Sequence, residues 1–479
     1  MNSYEVIIGL EIHAQLSTTT KAWCGCEIST KAYENSKVCE ICSAQPGTLP
    51  FLNSQAVNYA LAACMALNCK INKYCKFDRK NYFYPDLPKG YQITQFDMPI
   101  GLDGFIQITD ENEKNKKIGI ERIQMEEDTG KSMHMGESSL INLNRSGTPL
   151  IEIVSRPDIS SAKEASSYFK KMQSILVYLG ICHGNMQDGN LRCDVNLSLR
   201  KKGEKKFGTR TEVKNLNSFR SVERAVEYET TRQTALLNKG EKIEQQTLLF
   251  DVETGQTRVL RTKSNADDYR YFPEPDLMPL VIEEKLIEKI KNNLPELPDQ
   301  KVTRFLKDYS IPLYDAEVLT ADKALANYFE KAVSHYKSEP KKIANWVMVE
   351  LLKLLNESGI SVEQSPVKPE ELASLLTFVH EGKISGKQAK DVFLYMYDKK
   401  ASASNAIATL GISQISDSSE LDAVINSVID SNPEELKRYV EGAQKLFGFF
   451  VGQVMKATKG QANPQMVNEI LRKELDKRK

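Results

Sequence analysis

The sequence predicts an α+β protein: a sheet-rich first domain, an all-α second domain and a small α-helical tail. Three observations carry that prediction. Residues 1–290 are dominated by short alternating strand patterns separated by Gly, Pro and Asn turns. After Asn292 every periodic segment is helical, and Leu294-Pro-Glu-Leu-Pro298 reads as a linker between the two regimes. A further boundary is expected near Ala401–Gly411, so the domains are drawn at 1–292, 293–405 and 406–479.

The strands come first because they carry the chemistry. In an extended strand successive side chains point to opposite faces. In Val6–Ala14, Glu11 and His13 therefore share one face and Leu10 and Ile12 the other. In the stretch after Arg122, Gln124 and Glu126 oppose Ile123 and Met125, and in Leu150–Val154 Glu152 opposes Ile151 and Ile153. The longest alternation, Leu191–Arg200, puts Arg192, Asp194 and Asn196 opposite Cys193 and Val195. If these four strands share a sheet, Glu11, His13, Glu126, Glu152 and Asp194 form an acidic pocket suited to Mg²⁺ holding nucleotide phosphates. An ordinary solvated face of an antiparallel sheet is also polar, and alternation alone does not separate the two readings.

Two helices are expected within the first domain. Ser161–Leu179 carries Tyr168, Met172, Ile175, Leu176 and Leu179 at helical spacing and stops at Gly180. Phe219–Leu237 follows Ser218 as a cap and ends before Gly240. In the second domain the clearest helices are Ala321–Tyr336, Lys341–Leu355 and Pro369–His380. No internal repeat or low-complexity tract interrupts them.

Composition narrows the class. The 479 residues carry 64 Lys+Arg against 64 Asp+Glu, so no global field draws the chain to nucleic acid, and any such contact uses a local patch. One such patch is the last stretch, Lys445–Lys479, with eight Lys/Arg against three acids. It suits phosphate contacts through residues such as Lys456 and Lys459, and equally a merely soluble terminus. No apolar run approaches the length of a membrane span, and a strand pattern begins almost at once, leaving no room for a leader peptide. Nine cysteines without an export signal point to a reducing cytoplasm.

Four of those cysteines are grouped. Cys24-Gly-Cys26 and Cys39-Glu-Ile-Cys42 flank a turn-rich segment, a spacing that fits a structural tetrahedral Zn²⁺ site, with a redox dithiol as the alternative. Asp128-Thr-Gly-Lys-Ser132 imitates the end of a phosphate loop. The first glycine of that motif would fall at Met125, and three acids precede Thr129, so a phosphate loop is rejected. Phe77–Tyr91 is dense in aromatics and cations: Arg79 and Lys80 suit phosphates, and Tyr82 and Tyr84 suit stacking on a base or RNA end. Asn142–Pro149, with Arg145, and Asp267–Asp276, with Arg270, look similar. Each fits equally a Pro-fixed turn whose arginine pairs with a local acid.

With these stretches in view, the chain resembles the GatB family of tRNA-dependent amidotransferase subunits, which act on Glu-tRNA(Gln) and Asp-tRNA(Asn). The matching stretches are Val6–His13, Phe77–Pro85, Met125–Ser132, Asn144–Glu152, Gly208–Phe219, Asp268–Asp276 and Lys456–Pro464, spread over the full length. The resemblance implies a sheet-rich cradle domain serving as a kinase-like site, a helical domain, and a tail that meets tRNA. It implies Mg²⁺ and phosphate binding by Glu11, His13, Glu126 and Glu152, with Asp194 and Lys80 nearby; strand parity favours Glu126 over Glu127. Arg210, within Gly208–Phe219, joins Arg79, Tyr82, Tyr84, Arg145 and Arg270 as an expected substrate contact, and Lys456 and Lys459 are expected tRNA contacts. The implied reaction uses ATP to convert a side-chain carboxylate to an acyl phosphate that ammonia then attacks. The chain has no amidase Ser-Lys signature and no glutaminase Cys with a matching His. The ammonia source is therefore expected in a partner amidase subunit, which with a small third subunit makes a heterotrimer. The rival reading is a non-catalytic, zinc-containing tRNA-binding adaptor, which gives Glu11, His13, Glu126 and Glu152 no reason to converge.

Overall fold

The structure is a computed structural model that describes residues 3–29, 31–110, 114–262, 269–412, 418–458, 462 and 464–478. The chain divides into two compact units, Met1–Leu297 and Pro298–Lys479.

The first unit is built on a nine-stranded sheet. Its order across the sheet is Gln256–Thr262, Gln246–Asp251, Thr211–Leu216, Leu191–Lys201, Tyr4–Gln15, Pro149–Ser155, Asn115–Glu127, Gly101–Thr109, Lys70–Ile71. Every neighbouring pair is antiparallel except Thr211–Leu216 with Gln246–Asp251. The N-terminal strand is central, and its alternation is complete: Ile8, Leu10, Ile12 and Ala14 are fully buried in the core. Glu11 and His13 take the other face.

The apolar face is covered by helices, Ala162–Tyr178 and Phe219–Asn238 among them. Each begins where a serine hydroxyl replaces a missing backbone partner: Ser161 accepts from the Glu164 amide at 3.2 Å and Ser218 from the Ser221 amide at 3.0 Å. A third helix, Ser54–Ala66, carries no periodicity that marks it in the sequence. Eight of its thirteen residues are buried, so apolar side chains surround it and leave no polar stripe to mark a period of 3.6. It is capped by Asn53, which accepts from the amides of Gln55 and Ala56.

A second, three-stranded sheet stands against the polar face. It pairs Asp78–Asn81 with Tyr91–Thr94 on one side and Phe272–Pro273 on the other. Its role is to bring Lys80, Gln92 and Thr94 over the end of Asn115–Glu127.

Among the described residues of the second unit every named element is helical. Lys323–Ser334 is capped by Asp322, and Pro369–His380 opens on Pro369 with Glu370 and Glu371 in its first turn. The expected Lys341–Leu355 helix is longer, Pro340 to Ser358, and contains a π-helical turn at Trp346–Leu351. Buried Val347, Leu351 and Leu355 follow at intervals of four, the spacing that a widened turn keeps on one face. Two separate apolar clusters form, one from Phe305 to Ala406 and one from Leu421 to Leu475. Among the described residues no helix is long and apolar enough to cross a membrane.

Candidate active site and metal centres

Strand register assembles the site. Across the central strand His13 faces Glu152 on one side and Arg192 on the other, while Glu11 faces Asp194. Glu152 in turn faces Gln124, and Leu150 faces Glu126. The five predicted ligands thus lie on one face, but they form two groups. His13, Glu126 and Glu152 bring ligand atoms within 4.8 Å of one another, as do Glu11, Asp194 and Glu212. The sequence expects one set; here Glu11 faces Asp194 across the central strand while His13 faces Glu152, on the strand at its other side.

The first group is held rigidly. Gln124 Nε2 donates to Glu126 Oε1 at 2.8 Å and to Glu152 Oε2 at 2.7 Å, tying the two carboxylates together. Thr94 Oγ1 and Gln92 Nε2 donate to the two oxygens of Glu126 at 2.7 and 3.2 Å. His13 Nε2 lies 4.0 Å from Glu152 Oε1. Burial lowers the pKa of His13, so its imidazole is neutral and able to act as a ligand. Burial, with the charges of Glu126 and Glu11, pushes the Glu152 carboxyl well above the carboxylate range. Burial opposes ionisation of Glu126 too, but the Lys80 ammonium and hydrogen bonds from Thr94 and Gln124 hold it below its ordinary value. Lys80 answers in kind: burial disfavours its charge, yet the Glu126 and Glu152 carboxylates raise its pKa above that of a free lysine. A buried set of two carboxylates and a neutral imidazole, crowded enough to drive one acid toward protonation, fits a hard divalent cation.

These residues open onto a cavity of about 490 Å³ lined by His13, Lys80, Tyr82, Glu126, Arg192 and Lys214, among others. The volume is that of a small-molecule site. Arg192, Lys214 and Glu212 are not among the residues that the sequence marks for the site. Lys214 pairs with Asp194, and at 3.2 Å with Glu212, and Asn196 Nδ2 donates to Glu11 at 2.7 Å. The signal lies in Thr211-Glu-Val-Lys-Asn-Leu216, whose charges alternate with Thr211 and Val213, but so short a run carries little weight by itself.

Glu127 lies apart from the triads. Its carboxylate takes the Ile93 amide at 2.9 Å and pairs with Lys89. Asp128 is likewise engaged, accepting from Gln15 at 2.7 Å and Arg192 at 3.1 Å. Lys131 opens the strand Lys131–Met135 and not a helix, so the Asp128–Ser132 stretch lacks the geometry of a phosphate loop.

Several expected substrate cations are committed elsewhere. Arg79 clamps Glu274 through two hydrogen bonds of 2.8 and 2.7 Å, reaches Asp276 at 3.0 Å and covers the Tyr91 ring, so it joins two strands and does not line the cavity. Arg145 donates to the carbonyls of Thr129 and Gly130 at 3.0 and 2.7 Å. Arg145 is thus held by nearby backbone, whereas Arg79 is held by acids distant in sequence. Arg270 is exposed, with its carbonyl taken by Asn81 at 2.8 Å. Arg210 is exposed and lines a separate cavity of about 250 Å³ that also touches Glu11. Tyr82 lines the main cavity, with Tyr84 at 6.0 Å edge-on and Tyr269 at 6.2 Å beside it. Lys456 is exposed in the last turn of Leu446–Ala457; Lys459 lies outside the described residues.

The second centre is the cysteine cluster. The four sulfurs of Cys24, Cys26, Cys39 and Cys42 lie within 4.8 Å of one another, with Cys39–Cys42 at 3.9 Å and Cys26–Cys42 at 4.0 Å. A tetrahedral Zn²⁺ with bonds of about 2.3 Å needs sulfurs roughly 3.8 Å apart, so the cluster fits the ion. All nine cysteines are free thiols. Hydrogen bonds from Cys24 and the Cys39 amide, with the Lys21 ammonium beside them, hold the Cys42 thiol far below its ordinary value.

A family model described as the GatB/GatE catalytic domain matches residues 6–288, and one described as a GatB domain matches residues 327–475. The aspartyl/glutamyl-tRNA(Asn/Gln) amidotransferase GatB chain of Persephonella marina is 52% identical over 468 residues, covering 98% of each chain. The GatB chains of Thermodesulfovibrio yellowstonii and Carboxydothermus hydrogenoformans are 51% and 48% identical, covering 98% and 100% of each chain. With one residue in two shared over its whole length, the chain belongs to the GatB family of aspartyl/glutamyl-tRNA(Asn/Gln) amidotransferase subunits, components of a ligase.

Proposed function

We propose that the first unit is a cradle in which ATP activates the side-chain carboxyl of Glu-tRNA(Gln) or Asp-tRNA(Asn). A carboxylate oxygen of the aminoacyl group attacks the γ-phosphorus, the bond to ADP breaks, and an acyl phosphate forms. Ammonia then attacks the acyl carbon, inorganic phosphate leaves and a proton is lost, giving the amide. The observation that carries this reading is the triad His13, Glu126 and Glu152, of which His13 and Glu126 line a 490 Å³ cavity together with Lys80. Bound there, Mg²⁺ supplies charge neutralisation at the phosphoryl oxygens. Lys80 adds a fixed positive charge that needs no reorganisation during transfer. Glu11, Asp194 and Glu212, with Lys214 among them, extend the same face toward the remaining phosphates.

The partners follow from the chemistry. An amidase subunit delivers the ammonia through a channel, a small third subunit completes a heterotrimer, and the tail after residue 405 contacts misacylated tRNA. Cys24, Cys26, Cys39 and Cys42 hold structural Zn²⁺, and nine free thiols suit the cytoplasm. The test is Mg²⁺-dependent ATP hydrolysis by the purified complex, stimulated by each misacylated tRNA in turn. Hydrolysis indifferent to misacylated tRNA would sink the reading.

A further inference from the structure

Lys21 has no exposed surface. Its ammonium donates to Cys42 Sγ at 3.3 Å and to the Leu143 carbonyl at 3.2 Å, and among the described residues no carboxylate pairs with it. Glu127, which lines the same small cavity, pairs with Lys89 instead. Burying an ammonium without a carboxylate partner is expensive, and the one sulfur it touches is that of Cys42. Four thiolates around Zn²⁺ leave an excess of negative charge, and Cys42 presents it to Lys21.

Resting on the zinc reading, we infer that Lys21 is the counter-ion of the metal-bound cysteine cluster. It is also the strut that transmits metal occupancy to the loop at 141–148. The cysteine-bearing segment grips that loop at further points. The Ala22 amide donates to the Gly147 carbonyl at 2.7 Å, Asn35 Oδ1 takes the Leu143 amide at 2.7 Å, and Asn144 Nδ2 donates to the Tyr33 carbonyl at 2.7 Å. From the loop Arg145 fixes Thr129 and Gly130 and lies 3.5 Å from Asp128, whose carboxylate orients Arg192 in the main cavity. Lys21 is therefore a positioning residue: it touches neither substrate nor metal, but it couples the cluster to the wall of the active cavity.

The experiment uses the purified complex carrying Lys21→Met, with Lys21→Gln as a second variant that keeps a donor but not the charge. Transfer of zinc to excess chelator is followed by a colorimetric metal indicator. Both variants should be isolated with about one zinc per chain and release it about 10- to 100-fold faster than wild type, the usual effect of losing an outer-shell partner. Melting of stripped and zinc-loaded protein gives a readout that packing alone would not: the zinc-loaded variant should melt below wild type, while the stripped variant melts at or above it. Release at the wild-type rate in both variants, or equal destabilisation of the loaded and stripped forms, overturns the inference. Wild type that carries no zinc overturns the zinc reading, and this inference with it.

Discussion

The cysteine cluster and the acidic triad are both sets of convergent ligands, yet they differ in every physical respect. The cysteines lie between positions 24 and 42, are soft donors, and close a tetrahedron. The triad draws His13, Glu126 and Glu152 from three neighbouring strands, uses hard donors, and opens on a cavity. A closed local site stabilises a loop; an open site at a sheet face holds a reacting group. The contrast teaches that convergent side chains suit different work, depending on their softness and on whether they face a cavity.

The largest expected effect comes from the open site. Glu126→Gln removes one ligand charge and should lower ATP-dependent activation about 100-fold or more, with melting temperature and partner-catalysed glutamine hydrolysis unchanged. Wild-type phosphoryl transfer in that variant would break the comparison. The next test separates two adjacent cations. Arg79→Met leaves the buried carboxylate of Glu274 without its clamp and should cost about 3 kcal/mol of stability. Lys80→Met should instead depress phosphoryl transfer and spare the fold. Exchange of these two outcomes, read by thermal melting and by turnover, would show that Arg79 is the functional cation.

Zinc removal probes the closed site. Elemental analysis should give roughly one zinc per wild-type chain and none for Cys42→Ser. With about 2 kcal/mol lost from a unit of this size, melting should fall by about 3 °C. A metal-free wild type with four freely titrating thiols would refute the assignment. The smallest effect belongs to the tail. Truncation after Gly411 should raise KM for misacylated tRNA about tenfold while ATP binding stays constant. Lys456→Ala should flatten the log–log salt dependence of tRNA binding by about 0.7–0.9, one phosphate contact. An unchanged slope in Lys456→Ala would remove that residue from the tRNA contact.

Sequence by itself determined what is local. Strand alternation decides which side chains share a face, so Glu11, His13, Glu126 and Glu152 are legible before any strand is placed. Ser161 and Ser218 mark two helix starts, and the spacing of Cys24, Cys26, Cys39 and Cys42 points to a metal cluster. Tertiary structure decided what depends on neighbours far along the chain. Strand order set Asp194 and Glu212 around Glu11, made two triads from one expected set, and brought Lys214 among them. Glu274, nearly two hundred residues from Arg79, consumes a guanidinium that local sequence leaves free. Ser54–Ala66 is silent because a helix buried on most sides has no polar stripe to betray its period. The physical reason is common to all three. Periodicity reports one element's own faces, whereas pairing, burial and charge neutralisation are properties of which elements touch.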